Sequence, residues 1–336
     1  MKRKSYAGLI FSTLGIAVLI LDSKTAILGA QEGINLCLRS LIPSLFPFIF
    51  LSTILTASLS SMTIPLLRPI SRLIRIPEGS ESLFVIGLLG GYPVGAQCIN
   101  QAYFQGSLSK EDAERMLAFC NNCGPAFLFG IVSLYFDDHR TVWILWGIHV
   151  LSALLVAMSM PGRPGQISLQ KHGSMSVSQA LIRTLSIMAQ ICGWVVLFRI
   201  LITFFGHWFG FHLSQTAQVA VSGLLELANG CLSLAEISNT GERFIICSAL
   251  ISLGGLCVTM QTFGLLHKDI DKRLYLPGKI LQCAYSIIIA IALNASQLRS
   301  GPMLVISITS VVYIVLFFIF SGKVKNSSSI LRPTAV

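Results

Sequence analysis

Long apolar runs separated by short polar ones set the rhythm of this chain. Runs over about 6–21, 34–60, 116–136, 142–160, 184–205, 244–266, 280–297 and 303–320 each approach the roughly 20 residues that a helix needs to cross a bilayer. They predict eight full membrane spans. Two further apolar segments are broken near their centres. The first, 84-FVIGLLGGYPVGAQCINQAYF-104, carries Gly90, Gly91, Pro93 and Gly95 within six residues, a composition that opens backbone hydrogen bonds and removes a donor. Such backbone is tolerated at membrane depth only where protein or a water-filled cavity satisfies it, so a re-entrant hairpin is expected over 83–104. The second, 218-QVAVSGLLELANGCLSLAE-236, predicts another hairpin over 217–235, with Glu226, Asn229 and Gly230 near its tip.

Laying Gly87 on Gly223 brings the two hairpins into register 136 residues apart. The flanking spans then correspond, and 124-GP-125 is answered by 254-GG-255. Counting membrane crossings puts the two hairpins on opposite faces, so the repeats are inverted. The fold expected is an all-α polytopic membrane protein with inverted repeats and two re-entrant helical hairpins. Its units are a first span and outer loop (1–33), a first repeat (34–141), a connecting span and cytoplasmic linker (142–183), a second repeat (184–267), and two C-terminal spans with a tail (268–336).

Charge sets the orientation. With the N-terminus inside, the cytoplasmic segments are 1–5, 61–82, 105–115, 161–183, 267–279 and 321–336, and they hold 18 of the 24 Lys and Arg residues, Arg115 and Lys279 included. This is a positive-inside bias, and it accounts for the net charge of +10 without nucleic acid as a partner. Charged residues make up only 11% of the chain, against about 25% in soluble domains, and mean hydropathy is +0.75. The opening 1-MKRK-4 and the apolar run after it imitate a signal peptide but lack a small-x-small cleavage site before a polar mature chain, which predicts a retained span. The nine cysteines have no framework spacing, and Cys120 and Cys123 read as small buried residues.

Candidate chemistry gathers at the breaks. Two interrupted segments in corresponding halves point to a transporter's binding site, which singles out Gly91, Tyr92, Pro93 and Gln97 in the first hairpin and Glu226 and Asn229 in the second. Asn121 and Asn122, inside an apolar run, either cap and pack or touch a solute. Gln261 is an accessory candidate. Glu226 needs a cation, a proton or several donors; it is read either as a helix cap or as a group that binds substrate or couples transport to H⁺ or Na⁺. His149 reads as a satisfied packing residue. Arg199 reads as snorkelling to the interface or as an anion-attracting charge in a vestibule. No metal-binding motif, dinucleotide fingerprint or nucleophile–base order is present, so neither an enzyme nor a cofactor is expected. A non-transporting membrane scaffold is the rival class.

The motifs 90-GGYPVGAQ-97, 121-NNCGP-125 and 226-ELANG-230, together with the duplicated arrangement, resemble the YlbJ/SpoVV-type family of sporulation integral membrane proteins, over about residues 30–300. That family belongs with proteins carrying a nucleoside-recognition (gate) domain and is similar in plan to concentrative nucleoside transporters. The resemblance implies transport of dipicolinic acid, a small planar dianion, into the developing spore. It also implies residence in the outer forespore membrane, with both termini in the mother-cell cytoplasm. Nucleoside-like solutes, a homo-oligomer and sporulation membrane partners are the further possibilities that it brings. Gln97 stands where the family often has Lys, so the first hairpin lacks that charge.

Overall fold

A computed structural model describes residues 2–59, 65–162, 167 and 175–295. The predicted span at 303–320 and the polar tail lie outside the described residues, as does most of the Gly/Pro connector at 163–174. Every regular element among the described residues is helical. Five helices among the described residues are long and apolar enough to cross a membrane: Ser23–Leu55, His139–Ser159, Val177–Phe209, Thr240–Leu265 and Tyr275–Asn294. The chain is a polytopic membrane protein.

Helix α1 (Lys2–Leu21) precedes a long element made of α2 (Ser23–Leu36), a π-turn (Cys37–Leu41) and α3 (Ile42–Leu59). The stretch after the first span, expected as a loop to residue 33, is therefore helical. Asp22 caps it by accepting from Thr25 N at 3.3 Å. A hydrogen bond from the Thr25 side chain, with this backbone bond beside it, holds the Asp22 carboxyl below the usual aspartate range. The π-turn falls just before Pro43 and Pro47, where the missing proline donors were expected to kink or open the helix. Gly29 and Gly33 press α2 against a later helix, α10 (Val177–Phe209): a Cβ on Gly29 would stand 2.8 Å from Ile200 Cα, and one on Gly33 2.9 Å from Val196 Cα. Lipid supplies no hydrophobic drive between helices, so backbone approach of this kind is what holds them together.

The remaining elements follow one order twice. After α4 (Arg68–Ile74) come a helical pair, α5 (Glu81–Leu89) and α6 (Val94–Phe104); a broken helix, α7 (Lys110–Cys120) and α8 (Pro125–Gly130); and the long α9 (His139–Ser159). After α10 come the pair α11 (Gln215–Leu225) and α12 (Leu227–Leu232), the broken helix α13 (Thr240–Leu253) and α14 (Gly255–Leu265), and the long α15 (Tyr275–Ala295). Ser109 caps α7 as its sequence suggests, accepting from Asp112 N at 3.1 Å.

Two arginines expected at the membrane surfaces are structural. Arg115 donates to the carbonyls of Arg75 (2.8 Å), Ala157 (2.8 Å) and Ile74, tying the ends of α4 and α9 to α7. Arg243 donates to Ile237 O and Tyr135 O at the start of α13. Each satisfies helix-end carbonyls that have no partner within their own helix.

Candidate functional site

Four helix interruptions meet at one place, three of them at Gly or Pro and the fourth at Glu226. Helix α5 ends at Gly90, whose N–H reaches Ile86 O at 2.7 Å. Gly91 then takes φ +72, a conformation that costs an L side chain about 1–2 kcal/mol, and Pro93 leads into α6. Helix α7 stops at Cys120; Asn121 and Gly124 are extended, and Pro125 starts α8 at a position that needs no donor. Helix α11 stops before an extended Glu226, and α13 stops at Gly254, φ +80.

Close backbone contact holds the four breaks together. A Cβ on Gly87 or Gly95 would run into Cys120 O, so α7 ends between the arms of the α5–α6 pair. Gly91 abuts Gly124 N at 2.9 Å, Gly254 abuts the Tyr92 hydroxyl at 2.9 Å, and Gly255 abuts Gly223 O at 2.8 Å, each distance taken from the Cβ position. The α13–α14 break thus rests against both helical pairs.

A cavity of about 60 Å³ lies among them. Its walls are Leu41, Leu45 and Ile49 from the long N-terminal element, Gly90, Gly91 and Tyr92 from the first pair, and Cys123, Gly124, Ala126 and Phe127 from the first broken helix. Ile191 and Val195 of α10, Glu226, Leu227 and Ala228 of the second pair, and Val258 and Gln261 of α14 complete them. Of the residues singled out in the sequence, Gly91, Tyr92, Glu226 and Gln261 line this space. Pro93, Gln97, Asn121, Asn122 and Asn229 are not among its lining residues.

Glu226 has both features weighed for it. Its carboxylate caps α12, accepting from Ala228 N at 3.0 Å and from Asn229 N and Nδ2 at 2.7 Å each, and it is also part of the cavity wall. Asn229 passes the connection outward, its Oδ1 accepting from Arg199 Nη1 at 3.0 Å. Arg199 in turn pairs with Glu32 at 2.8 Å. Arg199 is thus tied to a carboxylate on α2, a partner hidden while 22–33 is read as a loop.

The two asparagines of the first broken helix are knots between elements. Asn121 accepts from Ala96 N at 3.3 Å and donates to Thr262 Oγ1 at 2.8 Å and to the Tyr275 hydroxyl at 3.2 Å. Asn122 donates to Phe119 O at 2.6 Å, and its Oδ1 accepts from Gln282 at 3.0 Å and from Lys279 Nζ at 3.4 Å. Cys123 N donates to His149 Nε2 at 3.1 Å, so the imidazole carries its proton on Nδ1, which faces Ser252 Oγ at 3.2 Å. Ser252, Ser286 and Ser152 continue the chain of hydroxyls back to His149 O. His149 is a satisfied buried group, as expected. Cys120 and Cys123 are buried and free.

Lys279 is the residue that sequence reasoning misplaced. Counted among cytoplasmic loop charges, it lies inside α15 with no exposed surface, because that helix starts at Tyr275 and not near residue 280. Gln282, one turn further on, was not singled out either. The signal that could have found both is their spacing of three in a helix whose other positions are mostly apolar. Among the described residues no cluster of three His, Cys, Asp or Glu side chains is placed to hold a metal ion.

The chain is 23% identical to the sporulation integral membrane protein YlbJ of Bacillus subtilis (strain 168), across 82% of this chain and 79% of that protein. No family model matches the chain, and no solved structure matches it.

Proposed function

We propose that this protein carries a small polar or anionic solute across a membrane, with dipicolinate as the first candidate, during endospore formation. The observation that carries the reading is the meeting of four helix interruptions around one cavity that holds a carboxylate. Polar backbone at that depth is expensive unless it lines a cavity or is covered by protein, and discontinuous helices around a central site are the architecture of many secondary transporters. The nine residues of α5 and eleven of α6 measure about 14 and 17 Å at 1.5 Å per residue, well short of a hydrocarbon core of about 30 Å. That shortness supports re-entrant hairpins, and the twice-used element order supports two inverted repeats of the gate-domain kind. Relative movement of the halves, or of one hairpin, then exposes the cavity to either side in turn.

In this reading Glu226 is the coupling group. Its three donors hold a carboxylate without a cation, and exchanging one of them for H⁺ or Na⁺ would alter the cap on α12 and so the hairpin's position. The protein performs no covalent chemistry on its solute and needs no cofactor or nucleic acid. Lipid surrounds it, and a second copy or other sporulation membrane proteins are candidate partners. Similarity to YlbJ supports the sporulation setting, and the family resemblance supplies the outer forespore membrane with both termini in the mother-cell cytoplasm.

The test is uptake of labelled dipicolinate into sealed liposomes by the purified protein, compared with Glu226→Gln and a boiled control under imposed H⁺ or Na⁺ gradients. Protein-dependent uptake that follows one gradient, and loses that dependence in Glu226→Gln, is the expected result. Uptake of nucleosides in place of dipicolinate would move the substrate. Folded, inserted protein that moves neither would sink the transporter reading in favour of a scaffold.

A further inference from the structure

Lys279 is a buried amine with no carboxylate beside it among the described residues. Its Nζ donates to Gln282 Oε1 at 2.9 Å and to Asn122 Oδ1 at 3.4 Å, both neutral. Its third neighbour is the ring of Tyr92, 5.4 Å from Nζ to centroid. Among the described residues no carboxylate lies within 4.0 Å of it. A cation removed from water and left unpaired is among the costliest features a fold can carry, and an ionisable residue inside a membrane protein calls for a partner. Amide oxygens and a ring face lessen that cost without cancelling the charge.

What separates this charge from the cavity is thin. Tyr92 lines the cavity, as does Cys123, the residue next to Asn122. Tyr92 is held by one long hydrogen bond from its hydroxyl to Ile251 O, 3.4 Å, a distance at which such bonds are weak. Its hydroxyl also rests against Gly254, where α13 breaks. Movement of that break would release the ring and leave the ammonium facing the cavity.

We propose that Lys279 is the charge that selects a carboxylate-bearing solute, and that Tyr92 is the shutter between it and the cavity. The missing counter-ion is the solute itself. Glu226, elsewhere on the same wall, repels an anion from its own side and so favours a pose with the carboxylate toward Lys279. The proposal rests on reading the cavity as a solute site and goes beyond it by assigning the anion's partner.

The experiment is a calorimetric titration of the purified full-length protein with dipicolinate and, separately, with pyridine-2,6-dicarboxamide, its uncharged analogue of nearly the same shape. The native protein is expected to prefer the dianion by roughly tenfold or more, the order of effect that follows loss of one partner of a buried charge pair. Lys279→Gln should abolish that preference and Lys279→Arg should keep most of it. Asn122→Asp removes the same charge by a second route, setting a carboxylate beside Nζ, and should abolish the preference too; it decides the matter if Lys279→Gln does not fold. Tyr92→Ala should bind the dianion more tightly, because no shutter has to open, with the preference intact. Native preference retained in both neutralising variants would overturn the proposal, as would a native protein that binds neither compound. Dianion preference without liposome uptake would sink the transporter reading alone; uptake with charge selectivity unchanged in both variants would sink this assignment alone.

Discussion

Replacing His149 by Phe tests whether the break at residues 121–124 is held by the imidazole. The side chain has no exposed surface, and the ring of Phe is somewhat larger than the imidazole, so the change removes the hydrogen bonds and adds any overpacking to their loss. Two bonds go. Cys123 N loses its acceptor at 3.1 Å, and an orphaned buried N–H costs about 1–3 kcal/mol. Ser252 loses its contact at 3.2 Å but retains Ser286 at 2.5 Å, so the second loss is the net worth of one neutral hydrogen bond, about 0.5–1.5 kcal/mol. The sum, about 1.5–4.5 kcal/mol before any overpacking, lowers the folding equilibrium constant roughly 10- to 1500-fold at about 1.4 kcal/mol per factor of ten. SDS titration of the detergent-solubilised protein, followed by tryptophan fluorescence, reads this as an earlier midpoint. His149→Gln keeps an acceptor for Cys123 N and should recover half of the loss or more. His149→Phe within about 0.5 kcal/mol of native, or His149→Gln as unstable as Phe, would refute the assignment.

The outward connection from Glu226 makes an asymmetric prediction. Glu32 and Arg199 are 38% and 27% exposed at the side chain, so their pairing energy is discounted for screening to about 0.5–1 kcal/mol, read from a double-mutant cycle. Arg199→Gln should cost more than Glu32→Gln, because only the former takes a donor from Asn229 Oδ1; equal costs would argue against the link. Gly33→Leu should destabilise the same helix pair by about 1–3 kcal/mol through overpacking, since its Cβ meets Val196 Cα at 2.9 Å, whereas Gly15→Leu, with nothing within 4 Å of its Cβ, should be neutral in the same SDS titration.

The breaks were legible in the sequence and the knots between them were not, for a physical reason. Gly90, Gly91, Pro93, Gly124, Pro125 and Gly254 alter the backbone at their own positions, so their effect can be read locally. Glu226 stood out because a carboxylate in an apolar run is rare wherever it points. Lys279 did not stand out: it follows Pro277 and Gly278 and lies close to Lys272 and Arg273, which makes it look like the end of a loop, and only packing against α7 and α9 shows it to be a buried helical position. Gln97 was chosen as the polar residue that closes the first hairpin's GGYPVGAQ motif. A helix offers its faces in turn, and only packing decides which one meets a cavity; this position is half-buried and off the cavity wall. Asn121 and Asn122 are adjacent and were treated alike, yet they serve different partners because the extended backbone there sends successive side chains opposite ways.

The element order is used twice, but the chemistry is not. The first series contributes neutral groups at the centre: the ring of Tyr92, the amides of Asn121 and Asn122, and a neutral His149. The second contributes two buried ionisable side chains near the cavity, Glu226 and Lys279, with Asn229, Gln261 and Gln282 also buried or on its wall. The asparagines of the first series engage Thr262, Tyr275, Lys279 and Gln282 of the second, so the halves are stitched by hydrogen bonds that have no counterpart within either one. Apolar contacts between helices in lipid give little preference for one register over another. A polar knot does give one, since slipping it leaves several buried groups unpaired at about 1–3 kcal/mol each. The side of the cavity formed by Cys123 and Gly124, next in the chain to these asparagines, is accordingly the fixed side. The helical pair that carries Glu226 meets the rest by packing, Gly223 against Leu250 and Gly255, and by Asn229's bond to Arg199.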